Sequence, residues 1–185
     1  MSLYELAEWL EQTAGSTAIR ESIWVYPIIE TTHVLSLCLF LGLIALMDLR
    51  LLGVALPRVS ITEIVKRVLP WAVLGFVVSV VSGLLLFYST PVRMTHNIFF
   101  RFKVLMLLAA GANAWLFHVG IYRRVADWDD DRILPRRARL SGIVSLALWA
   151  SIVVSGRMIA YNWFDCDKPQ PPIVNALAGC RTEGR

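Results

Sequence analysis

Four apolar runs, Pro27 to Met47, Val68 to Tyr88, Ile98 to Tyr122 and Leu140 to Trp163, constrain this chain more than any other feature. Each is long enough for a helix, rising about 1.5 Å per residue, to cross roughly 30 Å of hydrocarbon. The composition agrees. The chain is 57% hydrophobic and 17% charged, where soluble domains run nearer about 45–50% and about 25%. With 185 residues in all, the four spans leave no room for a separate catalytic domain of ordinary size. The expected fold is a single all-α membrane domain, an integral four-helix bundle.

The segment ahead of the first span carries Glu5, Glu8, Glu11 and Glu21, which does not fit the basic start of a cleavable signal peptide. Ser2 with Glu5 three positions on fits a capping box, and Leu3, Leu6, Trp9 and Leu10 share one helical face. The expectation is a short N-terminal interfacial helix over residues 2–13, lying on the membrane surface or packing as a lid over the helix ends. Pro27 suits a first helical turn but not a helix interior, which starts the first span near Tyr26.

A net charge of +4 raises the question of nucleic acid, but the basic residues have the distribution of a topology signal. Ten of the 18 Lys and Arg residues fall in two loops: Arg50, Arg58, Lys66 and Arg67, then Arg123, Arg124, Arg132, Arg136, Arg137 and Arg139. That excess marks both loops as cytoplasmic and places both termini outside, in the inner membrane of a bacterium; no nucleic-acid partner is expected. The tail, residues 164–185, is then extracytoplasmic. Its Cys166 and Cys180 flank a Pro-rich stretch, and an oxidising compartment allows a disulfide between them, worth about 3 kcal/mol in the chain-entropy account. The alternative is two unpaired thiols. Cys38, within the first span, reads as a small buried apolar residue.

Small residues four apart let helices approach closely in lipid. Gly75, Ser79 and Gly83 form one such row, Ala147, Ser151 and Ser155 a second, Ala110 and Ala114 a third. Trp24, Tyr26, Tyr88, Tyr161 and Trp163 gather near the outer ends, and Trp71, Tyr122 and Trp128 near the inner, as aromatic belts do.

Charged side chains inside spans cost roughly 2.5–3.5 kcal/mol each at the bilayer centre, so each needs a partner or a function. Counted from the outer ends, Glu30 and His33 lie roughly 6 and 10 Å deep, Lys103 about 8 Å and Arg157 about 9 Å. They are expected to form one layer in the outer leaflet, with Glu30 paired to Arg157 or Lys103 and with Lys103, Met106, Ala110 and Asn113 facing inward. The layer serves either as a structural clamp or as a cofactor pocket.

His33 is the residue around which a pocket would work. A neutral imidazole ligates haem iron or copper, or relays protons to a quinone. His118 lies about 20 Å or more below the outer face, too deep to share an iron with His33. A haem on His33 would take Met106, Met158, Lys103 or an open sixth position. Met94 and His96 make a thinner case for copper together with His33. Asp48 and Arg50 read as helix-end ion-pair formers, and Asp129, Asp130 and Asp131 as a solvated loop. No phosphate loop, Cys-x-x-Cys pair or Ser nucleophile elbow is present.

The segments IWVYPIIETTHVLSLCLFLGLIALMDLRLLG, FKVLMLLAAGANAWLFH and SLALWASIVVSGRMIAY resemble a family of small bacterial inner-membrane proteins with a domain of unknown function. The likeness runs from Trp24 to Tyr161 and implies the four-helix architecture. Arg101, Lys103 and Asn113 resemble the third span of CopD-type copper-resistance membrane proteins. His33 with Lys103 is similar to the pattern of HemJ-type haem-linked protoporphyrinogen oxidases. Three functions follow as expectations. One is a redox or cofactor-linked protein whose outer pocket binds haem b, a quinone or, less readily, copper. Another is a non-catalytic subunit or assembly factor of a larger membrane complex. A small transporter is disfavoured by the lack of helix breaks in mid-span. Whether the chain is an enzyme is open at this level.

Overall fold

The computed structural model describes residues 3–129, 134–161 and 171–178. Cys166, Cys180, Ser2, Trp163, Asp130 and Asp131 lie outside the described residues. Within them the structure is helical: α1 (Leu3–Glu11), α2 (Ala14–Glu21), α3 (Val25–Leu51), α4 (Ile61–Ser89), α5 (Pro91–His96), α6 (Ile98–Gly120), a 3₁₀ turn (Tyr122–Asp127), α7 (Arg136–Ala160) and α8 (Pro172–Ala178). Four of these, α3, α4, α6 and α7, are long and apolar enough to cross a membrane. The chain alternates direction, so the starts of α3 and α6 and the ends of α4 and α7 lie at one end, here called upper. Helices α1, α2, α5 and α8 roof that end.

Helices α3, α4 and α7 begin earlier than the apolar runs alone mark, whereas α6 starts with its run and stops two residues short of its end, at Gly120. In α4 the extra turns come from an N-cap: the Ser60 hydroxyl accepts from the Glu63 amide at 3.1 Å, and Glu63 pairs with Arg67 one turn on at 2.7 Å. Pro70 is held inside this helix. At its lower end α3 stops at Gly53, whose φ of 76° closes the turn. The N-terminal segment is two helices instead of one, because Thr13 leaves the helical path and caps α2, accepting from the Ser16 amide at 3.4 Å.

Packing runs α4 to α3 to α7 to α6. The α3–α4 contact is close because of Gly75: a Cβ there would meet the Phe40 nitrogen and the Ser36 carbonyl oxygen, each at 3.1 Å. Gly142 does the same for α3 and α7, with the Asp48 carbonyl oxygen 3.2 Å from a notional Cβ. The row of Gly75, Ser79 and Gly83 read from the sequence thus marks a real interface, while Gly142 lies in none of the rows. Helices α4 and α6, by contrast, do not pack along their lengths; at the upper end Phe87 and Phe100 stack across the gap at 5.5 Å.

The lower end closes on a cluster of Leu51, Ile61, Trp128, Leu134 and Ala138. Trp128 is buried in it and is not a belt residue, because the loop after α6 folds back under the bundle. Asp129 belongs to the same cap, accepting from the Thr62 amide at 2.9 Å. Asp48 and Arg50 lie at the lower end of α3. Both are buried; Asp48 bonds Ser145 on α7, and Arg50 Nε donates to the Val59 carbonyl at 2.8 Å. Cys38 is exposed on the outside of α3 and not buried. Much of the outer surface is apolar: Leu35, Leu84, Leu108 and Val154 are all exposed, on faces a bilayer would cover.

Candidate functional site

His33 sits at the α3–α4 seam, where a row of serines receives it. Its Nδ1 lies 3.0 Å from the Ser79 carbonyl oxygen and 3.1 Å from the Ser82 hydroxyl. A carbonyl only accepts. The Ser82 hydroxyl already lies 2.6 Å from the Val78 carbonyl, to which it donates. Both neighbours of Nδ1 are therefore acceptors, and Nδ1 carries the hydrogen. In the neutral ring the lone pair is then on Nε2, for which no partner exists among the described residues. Gly83 makes room for the ring: a Cβ there would stand 3.1 Å from His33 Cε1.

Two further serines stiffen the seam. The Ser36 hydroxyl bonds the His33 carbonyl at 3.0 Å and the Ser79 hydroxyl at 2.9 Å. Ser36, Ser79 and Ser82 are all buried. None stood out as a site residue in the sequence; the available signal was the position of Ser36 one turn beyond His33, and of Ser79 in the small-residue row.

His33 lines a cavity of about 640 Å³ in the gap between α4 and α6. Its floor comes from α3 and α7 through Phe40 and Trp149, and its walls are Val80 and Leu84 from α4 and Val104 and Leu107 from α6. Lys103 also lines it, close enough to act on the charge of His33, with its Nζ 3.6 Å from a notional Cβ on Gly156. The Lys103 ammonium has no hydrogen-bonding or ion-pair partner among the described residues. Among the described residues no Asp or Glu lines the cavity.

The roof over this cavity is built on Arg101. Its guanidinium bonds the Thr95 carbonyl at 2.9 Å, the Ala178 carbonyl at 2.9 Å and the Tyr4 hydroxyl. His96 stacks on Tyr4 with centroids 4.7 Å apart, and its Nδ1 lies 3.3 Å from the same Ala178 carbonyl. Leu3 and Thr95 bring α1 and α5 to the cavity's upper side. Helix α1 therefore acts as a cover for the helix ends.

The layer expected from depth is brought together only in part. His33 and Lys103 meet in the cavity, and Glu30 is near enough to act electrostatically on His33. Glu30 is exposed, however, and forms no ion pair with Lys103 or Arg157. Arg157 points away, donating to the Tyr161 hydroxyl on its own helix at 3.1 Å with its guanidinium 5.0 Å from that ring. The reason is helical phase: Gly156 faces Lys103, which turns its neighbour Arg157 outward. Met106 is half-buried but not among the cavity's lining residues. Asn113 lies lower on α6 and exchanges two hydrogen bonds with Ser141, at 3.1 Å to its carbonyl and 3.2 Å from its hydroxyl. Met94 is half-buried in α5. His118 is exposed at the lower end against Tyr122. Among the described residues no three His, Cys, Asp or Glu gather as a metal centre.

A family model described as a family of unknown function, DUF6644, matches residues 8–162. The chain belongs to that family. No curated protein and no solved structure matches it, so the likeness to CopD-type and HemJ-type proteins finds no support. The matched region of this DUF6644 chain takes in all four long helices, His33 and Lys103, and the Arg101 roof as far as α5. The membership carries no activity with it.

Proposed function

We propose that this protein is a multi-pass bacterial inner-membrane protein that holds a redox cofactor, a haem or a quinone headgroup, in the cavity between α4 and α6. The observation that carries the reading is the single free nitrogen of His33, presented to a roomy apolar cavity by a ring whose other nitrogen is fixed by a backbone carbonyl. Ligating and proton-accepting histidines are commonly oriented in this way, because the second bond sets both the tautomer and the ring plane. In this account His33 is ligand or proton acceptor, and Lys103 supplies positive charge to an oxygen or carboxylate of the bound group. Copper is the weaker form of the reading, since His96 commits its ring to Tyr4 and Ala178.

The positive-inside distribution supports placing the upper end, and with it the cavity, on the outer side. A Cys166–Cys180 disulfide belongs to the same proposal.

A visible spectrum and an organic extract of the purified protein test the reading together. A Soret band, or a bound quinone in stoichiometric amount, that disappears in His33→Ala is the expected result. A colourless protein free of quinone that copurifies with a fixed protein partner would instead support the structural-subunit reading, for which the apolar outer surface of the bundle is the favouring observation.

A further inference from the structure

The hydrogen-bonding code of the cavity selects among redox cofactors, and among the redox states of one of them. Its polar lining is His33, Ser79 and Lys103, with Thr95 and Arg101 at the roof; the Ser79 hydroxyl is bonded to Ser36 and the Arg101 guanidinium to Thr95, Tyr4 and Ala178, which leaves His33 and Lys103 to meet a ligand. In the neutral ring the His33 Nε2 only accepts, because the hydrogen is on Nδ1 between the Ser79 carbonyl and the Ser82 hydroxyl, at 3.0 and 3.1 Å. The Lys103 ammonium only donates. Around them the walls are hydrocarbon: Val80, Leu84, Val104 and Leu107.

We infer that the occupant is a hydroquinone carrying a long apolar tail, that the site prefers this reduced form to the quinone, and that the tail leaves sideways between α4 and α6. A phenolic hydroxyl donates to Nε2 while the hydroquinone oxygens accept from Lys103. The oxidised ring offers two acceptors and no donor, so it faces the Nε2 lone pair with nothing to give. Shifting the hydrogen to Nε2 would leave Nδ1 facing the Ser79 carbonyl, a bond that is lost outright, and would make the Ser82 hydroxyl give up Val78 to donate to Nδ1. One mismatched buried hydrogen bond of this kind is worth about a tenfold difference in binding or more. The tail follows from the sparse packing of α4 against α6: the gap between them is lined by Val80, Leu84, Val104 and Leu107, which suits a polyprenyl chain and a lateral route of entry.

This inference rests on the cofactor reading above, and the test separates the two. The full chain in phosphatidylcholine nanodiscs is incubated without oxygen with decylubiquinol or with decylubiquinone, and bound ligand is measured against empty nanodiscs. The expected result is at least about tenfold tighter binding of decylubiquinol, a preference abolished by His33→Ala. Lys103→Met should weaken both forms and leave the preference in place. Leu84→Trp, which fills the gap without touching a polar group, should weaken both and keeps the test usable if His33→Ala does not fold. Equal affinity for the two forms, or a preference that survives His33→Ala, overturns the inference. A His33-dependent Soret band with no quinol binding overturns it while leaving the cofactor reading intact; absence of both overturns both.

Discussion

The Nδ1 of His33 lies 3.0 Å from the carbonyl oxygen of Ser79, across the seam between α3 and α4. This one bond joins packing to chemistry. It lets an imidazole sit inside a helix pair without an unsatisfied donor, and it leaves the second ring nitrogen directed by the protein and unused by it. The serine row that accepts His33 also allows the close approach of the two helices, so the site depends on the tightness of that seam.

Gly75→Ala tests the seam. Its Cβ would press on backbone atoms of α3 at 3.1 Å, which cannot swing aside as a side-chain tip can. Overpacking of this kind costs about 1–3 kcal/mol. A lower melting temperature in detergent is expected, whereas Gly111→Ala, which meets open space, should change stability by less than about 0.5 kcal/mol.

The charged layer was legible in the sequence only as a set of depths. Depth follows from residue count along a helix and was enough to bring His33 and Lys103 to one level. Direction around the helix was not legible, because α3 and α6 are apolar on nearly every face and give no periodic signal of which side is buried. Depth alone therefore groups Glu30 and Arg157 with the pocket, although both are exposed. The spans themselves were plain from hydropathy, and their extra turns depended on caps such as Ser60 that lie beyond the apolar runs. Trp128 could not be distinguished from a belt aromatic until the fold of the lower loop was known.

Lys103→Met separates a clamp from a site. A clamp residue would leave a partner unpaired and destabilise the bundle by about 3–5 kcal/mol. Lys103 has no such partner among the described residues, so the apolar replacement is expected to leave thermal stability unchanged or raised. Cofactor retention should fall in the same variant. Arg157→Ala, whose bond is to Tyr161 on its own exposed face, should alter stability by less than about 1 kcal/mol.

Asn113 and Ser141 form a reciprocal pair that holds α6 to α7. Polar pairs between membrane helices average about 0.6 kcal/mol and reach about 1.7 kcal/mol. A double-mutant cycle with Asn113→Ala and Ser141→Ala should return a small positive coupling, reduced because the Ser141 carbonyl survives its own substitution. Neither change is expected to affect cofactor content, since Asn113 lies outside the cavity.

Arg101 ties α1, α5 and α8 together at the roof. Arg101→Met removes charge-assisted bonds to Thr95, Tyr4 and Ala178 at one stroke. Hydrogen exchange should quicken in α1, α5 and α8, while the α3–α4 seam around Ser79 keeps its protection. Exchange that quickens equally in all helices would mean that Arg101 supports the bundle as a whole.

The central claim, that His33 offers a nitrogen to a bound small molecule, is met most directly by mass spectrometry of what the purified protein carries. One redox-active compound, haem or quinone, is expected at near one per chain in the native protein and absent from His33→Ala at equal folded yield. Identical small-molecule content in the two proteins would contradict it.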